Sequence, residues 1–156
     1  MDIYMEDEQD VPLSIEPLRR LARIVLEEER LPHGTEVGIM FVTDETMARY
    51  NRRFLGKDGP TDVLALPLAP GGYEASRADS ATAGGVPFGL GDIFVAPRFV
   101  HRQARDHGSD PEDEISLMIT HGLLHLVGYD HESEPEAVVM EERERSLLAL
   151  VGVERR

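Results

Sequence analysis

A helix that is apolar on nearly every side belongs in the middle of a fold, and this chain contains one. Asp110-Pro111 is a strong helix start, with a capping residue followed by proline at the first helical position. The segment after it carries Ile115, Leu117, Met118, Ile119, Leu123, Leu124, Leu126 and Val127, which face almost every direction around a helix axis. Gly128 stops it. The other elements must therefore pack around this helix.

Two polar rings interrupt the apolar surface. His121 and His125 are four apart, so they project from one face, one turn apart. Past the glycine stop the chain can turn back and bring His131 towards the same point. A buried imidazole needs a partner. One such histidine is ordinarily a core residue hydrogen-bonded to backbone, but three at this spacing indicate a metal site. Three imidazoles with a fourth position left open is the layout of a catalytic zinc centre, one Zn2+ per chain. A closed structural site would need a fourth protein ligand, and Asp130 is the nearest candidate.

The spacing is that of the metzincin protease pattern, His-Glu-x-x-His-x-x-Gly-x-x-His. Proteases use the glutamate as general base. Here that position is Gly122, which transfers no proton. The metal geometry is kept without its usual base. Zinc lowers the pKa of bound water to about 7, so hydrolysis of another bond is the better expectation.

The remaining periodicities place the other elements. Residues 2–5 read as a short strand. Ser14 is placed to cap a helix running to about Glu29, with Leu18, Leu21, Ala22, Val25 and Leu26 on one stripe. Val37 to Val42 reads as an interior strand, and Thr43 as the cap of a second helix ending near Gly56. Val63 to Leu66 is a short strand closed by Pro67, and Asp92 to Val95 another. Residues 68–90, rich in Gly, Ala, Ser and Pro, read as one long mobile loop. Pro97 opens a helix that ends at Gly108, and a last helix runs from near Pro135 to about Val151. The alternation predicts one domain over 1–156 in the α/β (α+β) class. It would be a small mixed sheet of about four strands packed with about five helices, the metal helix at the centre.

Composition narrows the setting. A chain of 156 residues, 41% of them hydrophobic, can build a real core. It has no cysteine, which excludes disulfides and thiolate metal sites. No apolar run approaches the ~20 residues of a membrane span, and the acidic start lacks signal-peptide features, so a cytoplasmic protein is expected. The net charge of −14 argues against broad, nonspecific nucleic-acid binding. The cations are clustered, however. Arg49, Arg52, Arg53 and Lys57 form the best group for phosphate contacts, and Arg98, Arg102 and Arg105 recur at helical spacing. Glu132, Glu134, Glu136, Glu141, Glu142 and Glu144 read as solvated helix faces.

Single residues carry two readings each. Asp62 either orients a ligand histidine or a phosphate-bound water, or makes an Asx-type turn. Asp92 is a partner of the site or a turn residue. Asp130 can hydrogen-bond a ligand ring, which metal-bound histidines usually require. Tyr129 stacks, donates a hydrogen bond or packs. His33, His101 and His107 are expected at the surface.

The run His121 to His131 resembles the signature of the YbeY family of bacterial rRNA maturation factors, metal-dependent single-strand endoribonucleases. Asn51, Lys57-Asp58-Gly59-Pro60-Thr61-Asp62-Val63-Leu64 and Pro67 are similar to the family's Lys-Asp-x-Pro-Thr-Asp-Val-Leu-Ser-Phe-Pro, and Leu90-Gly91-Asp92-Ile93 to its Leu-Gly-Asp-Ile strand. The resemblance implies a mixed α/β domain with the metal helix on a small sheet and His121, His125 and His131 as ligands. It also implies single-stranded rRNA as substrate, notably the 3′ end of the small-subunit rRNA. A role in ribosome maturation and quality control follows, with the small subunit or assembly factors as partners. Asp62 and Asp130 are then the candidate catalytic carboxylates. Two positions depart. Leu55 stands where the family usually has an arginine, and Ala65-Leu66 where it has Ser-Phe. The competing readings are a metallopeptidase-like hydrolase and a non-catalytic ribosome-assembly factor with a structural metal.

Overall fold

The computed structural model describes residues 1–68 and 88–156. Among them are four strands and five helices in the order β1 (Asp2–Asp7), α1 (Ile15–Glu28), β2 (Thr35–Phe41), α2 (Asp44–Leu55), β3 (Val63–Pro67), β4 (Phe88–Val95), α3 (Pro97–His107), α4 (Pro111–Val127) and α5 (Glu134–Ala149). The sheet order is β1-β2-β4-β3. The first three strands run parallel, and β3 pairs antiparallel with β4 at the edge. The mixed α/β architecture is the expected one. No helix among the described residues is long and apolar enough to cross a membrane.

Alternation along the strands sorts side chains between the two faces. Ile3, Val37, Ile39, Ile93 and Val95 face the main core, where α1 supplies Leu21, Val25 and Leu26. Leu64 with Val42, Met47 and Ala96 forms a smaller cluster, joined by Met40, Tyr50, Phe94 and Phe99. The helix α4 packs against β3, β4, α1, α3 and α5, as its all-round apolar surface requires. Its start is built as the sequence predicts: the Asp110 carboxylate accepts from the Glu112 N–H at 2.9 Å, and Pro111 follows.

Three sequence expectations shift. Ser14 sits at the N-cap of α1 but its hydroxyl makes no capping hydrogen bond. The first strand runs on to Asp7. The fourth begins at Phe88, so residues 88–90 belong to the sheet rather than to a loop; the rest of that loop, 69–87, lies outside the described residues. The two glycines of Phe88-Gly89-Leu90-Gly91 obscured the strand, and they mark an irregularity in it. The β2–β4 register shifts between Glu36 and Val37, leaving Leu90 as the extra residue. Gly91 has φ +139, and a Cβ there would stand 2.4 Å from the Leu66 carbonyl oxygen and 3.0 Å from a Leu126 methyl. Backbone conformation and space both demand glycine. Gly91→Ala is therefore expected to lower stability by about 3 kcal/mol or more. The check is the urea midpoint of metal-free protein, and an unchanged midpoint would refute it.

Candidate metal centre

The histidines sit where α4 meets the sheet. Gly122 lets them get there. A Cβ on Gly122 would lie 3.0 Å from Ile93 Cγ2 and 3.2 Å from Val63 Cγ2, so the helix backbone rests directly on β3 and β4. Glycine in a helix interior costs about 1 kcal/mol relative to alanine, and close packing offsets it. The helix ends at Gly128, φ +130, whose N–H reaches the Leu124 and His125 carbonyls. This reversal carries His131 back over the preceding turn.

The three rings converge. One ligand nitrogen from each of His121, His125 and His131 lies within 4.8 Å of the others, and the ring centroids are 4.5–5.5 Å apart. The His121 Nδ1–H donates to Glu144 Oε2 at 3.1 Å. The His125 Nδ1–H donates to the Tyr129 carbonyl at 3.0 Å. With both Nδ1 atoms committed as donors, both Nε2 atoms of the neutral rings present lone pairs, and they face each other at 3.1 Å. Two lone pairs at that distance repel unless a proton or a metal ion lies between them. Nitrogens bound to one tetrahedral zinc at about 2.0–2.1 Å stand about 3.3 Å apart, so the His121–His125 pair is spaced for a zinc-like ion. Burial pushes the His125 pKa below the ordinary imidazole value, and the neighbouring His121 adds to the effect. The bond to Tyr129 works the other way but does not reverse it. The neutral ring is the form that ligates.

A cleft of about 430 Å³ opens over the rings, walled by β3 on one side and by Leu55 from the end of α2. Asp62 and Asp130 both line it. Each spends one carboxylate oxygen on its own turn: Asp62 Oδ1 accepts from the Val63 N–H at 2.7 Å and from the Thr61 hydroxyl at 3.3 Å, Asp130 Oδ1 from the His131 N–H at 2.8 Å. Neither reaches a histidine ring, so the expected ring partnership of Asp130 is not formed. The second oxygen of each makes no hydrogen bond among the described residues.

Other candidates fall elsewhere. Asp92 alternates with Ile93 and so points away from α4; it lies exposed on the opposite face of the sheet, beside Gly38. Tyr129 is half-buried against the main core and also lines the cleft, and burial together with the nearby Glu29 raises the pKa of its hydroxyl. His33 and His107 are exposed, and His101 is half-buried. Arg49, Arg52, Arg53 and Lys57 are on exposed or half-exposed positions of α2 and the turn after it, next to Leu55. None of them lines the cleft. Arg52 pairs with Asp58 at 2.7 Å and Arg53 lies over the Phe54 ring. In the second basic group, Arg102 is tied to Asp44 at 2.6 Å.

The residue missed in the sequence is Glu144. It falls in an acidic run that reads as a solvated face, yet it is 1% exposed and holds the His121 ring. The signal was present: Met140, Glu144, Leu147 and Leu148 make one i, i+4, i+7, i+8 stripe, so Glu144 sits on the buried side of α5.

A family model described as Endoribonuclease YbeY matches residues 3–152. The chain is 38% identical over 128 residues to an endoribonuclease YbeY of Salinispora tropica, covering 82% of each chain. It is 37% identical to one of Thermobifida fusca, covering 82% of this chain and 79% of the other. Its fold is similar to the solution structure of TM1509 from Thermotoga maritima, with a TM-score of 0.61 over 95% of this chain and 90% of that one, at 24% identity.

Proposed function

The chain belongs to the endoribonuclease YbeY family, a family of nuclease hydrolases, and from that premise we propose that it is a zinc-dependent endoribonuclease cutting single-stranded rRNA. The target is the 3′ end of the small-subunit rRNA, and the role lies in ribosome maturation and quality control in the cytoplasm, alongside the small subunit or its assembly factors. The observation that carries the metal dependence is the pair of opposed Nε2 lone pairs 3.1 Å apart, each locked by a donor bond on the far side of its ring. A zinc ion in that position supplies a Lewis acid for the phosphodiester and a nucleophile at neutral pH.

The chain's own residues supply the rest. His131, exposed and on the reversed segment, closes the third side of the donor set. Asp62 and Asp130 each hold one carboxylate oxygen with no hydrogen bond among the described residues on the cleft wall, where a proton leaving the attacking water can be accepted. These carboxylates repel phosphate, and no cation lines the cleft among the described residues. Strand entry therefore depends on Arg49, Arg52, Arg53 and Lys57 beside Leu55. The Arg52–Asp58 pair is exposed at both ends and so is weak enough for a phosphate to displace.

The test is cleavage of a single-stranded RNA by zinc-loaded protein, compared with chelator-stripped protein and with a matched duplex. Cleavage of the single strand only, lost on stripping and restored by zinc, is expected. Zinc-bound, well-folded protein that never cuts RNA would shift the reading to an assembly factor with a structural metal. Leu55→Arg probes positioning in the same assay. A cation on the cleft wall is expected to raise kcat/KM about fivefold at low salt, the worth of a partly exposed charge contact. It should also steepen the slope of log affinity against log salt by about 0.7, one single-strand phosphate contact. An unchanged slope would place the RNA path away from Leu55.

A further inference from the structure

The three ligand rings are held in three different ways. His125 is tied to a neutral backbone carbonyl, and no hydrogen bond reaches the His131 ring among the described residues. His121 alone is tied to a carboxylate, and that carboxylate is inside the protein, 1% exposed. Burying a charge costs several kcal/mol unless it is well paired. A backbone carbonyl suffices for His125, so a buried glutamate is not the minimum that orientation requires.

Glu144 has a second partner. Its Oε1 lies 3.4 Å from Arg155 Nε, and the Arg155 guanidinium also lies 3.8 Å from the Glu141 carboxylate. Arg155 is delivered by a turn beyond α5. Gly152, φ +75, reverses the chain, and the Val153 N–H returns to the Leu148 carbonyl at 3.0 Å. The Arg155 side chain is 17% exposed, so this pair is shielded from screening. The result is a chain of contacts running from the segment after α5, through Arg155 and Glu144, to the Nδ1 of a ligand ring.

We propose that Arg155, acting through Glu144, positions the His121 ring for metal, so that metal affinity is set in part from the segment beyond α5. The proposal rests on the three histidines holding a metal. A carboxylate behind a ligand imidazole fixes ring orientation and raises its basicity. Arg155 biases the carboxylate in turn. The contact is an ion pair rather than a hydrogen bond, since the buried Arg155 Nε has no hydrogen-bond partner among the described residues. A glutamate hydrogen-bonded through one oxygen and ion-paired through the other is still held facing His121. Without Arg155, Oε1 has no other partner among the described residues in a dry site, and the carboxylate turns from the ring to find one.

The experiment measures zinc affinity by competition with a chromophoric chelator, and the visible absorption of the cobalt-substituted protein, on the full chain. Wild type, Glu144→Gln, Arg155→Met, Arg155→Lys and the Glu144→Gln/Arg155→Met double variant are compared, with metal-free melting curves as the folding check. Glu144→Gln is expected to weaken zinc binding about 10–100-fold. Arg155→Met should weaken it about 3–10-fold, and Arg155→Lys should recover part of that loss. The double variant should match Glu144→Gln alone, because Arg155 acts only through Glu144. Equal Arg155→Met effects in both backgrounds, tighter zinc binding in Arg155→Met, or wild-type affinity in Glu144→Gln would each overturn the proposal. Should Glu144→Gln fail to fold, the Arg155→Met and Arg155→Lys affinities and cobalt spectra decide: wild-type values in both refute it. A wild type that binds no zinc would instead remove the metal reading beneath it.

Discussion

Alanine in place of His125 is expected to abolish metal uptake and RNA cleavage together while leaving the metal-free fold almost unchanged. The ring contributes one of the two opposed Nε2 atoms, and among the described residues no histidine other than His121 and His131 lies beside it to take that place. Losing metal electrostatics worth several kcal/mol corresponds to a fall in kcat/KM of about a thousandfold or more. Stability should behave differently. In the metal-free protein the His125 ring is a desolvated group whose lone pair faces that of His121, so its own contribution is small. Zinc is expected to bind the folded wild type and raise its melting temperature by mass action, whereas His125→Ala should show no zinc-dependent rise. Calorimetric melts with and without zinc, alongside cleavage rates, make the comparison. If His125→Ala keeps wild-type cleavage, the three-histidine centre is not the catalytic one.

The parts of this site that the sequence revealed are those that depend on spacing along one helix. His121 and His125 share a face because they are four apart, and α4 lies centrally because its apolar residues surround it. What the sequence concealed depends on contacts between distant segments or on the backbone. The partner of His125 is a main-chain carbonyl, which any residue at 129 would offer. The partner of His121 arrives from 23 positions away, on a helix whose charge masks its buried stripe. Asp92 shows the converse. Its place in the Leu-Gly-Asp-Ile run made it a candidate for the site, but period-two alternation beside Ile93 sends it to the far face. Fold class followed from element order, while the start of β4 did not, because Gly89 and Gly91 read as loop when they accommodate an irregular register.

Gly122→Glu restores the protease pattern in sequence and is expected to destroy the protein rather than create a peptidase. The shared histidine spacing is the whole case for a metallopeptidase, and the glutamate it lacks is the proton-transfer group. At Gly122 a first side-chain carbon already meets Ile93 and Val63 at 3.0–3.3 Å, so both neighbours must give by a few tenths of an ångström. Beyond that carbon a glutamate must thread its remaining side chain and a charge along the contact between α4 and the sheet. Overpacking and an unpaired, desolvated carboxylate together are expected to cost at least about 3 kcal/mol. Gly122→Ala is the control. Its gain in helix propensity, about 1 kcal/mol, opposes the small displacement of Ile93 and Val63, so it should remain folded and close to wild type in stability. Urea unfolding of both variants, with peptide and RNA cleavage assays on whatever folds, separates the possibilities. A folded Gly122→Glu protein that cleaves peptides in a His121-dependent way would show that the metal centre was one residue short of a protease. Loss of the fold would show that glycine holds this position because the helix must touch the sheet to bring its two histidines to the cleft.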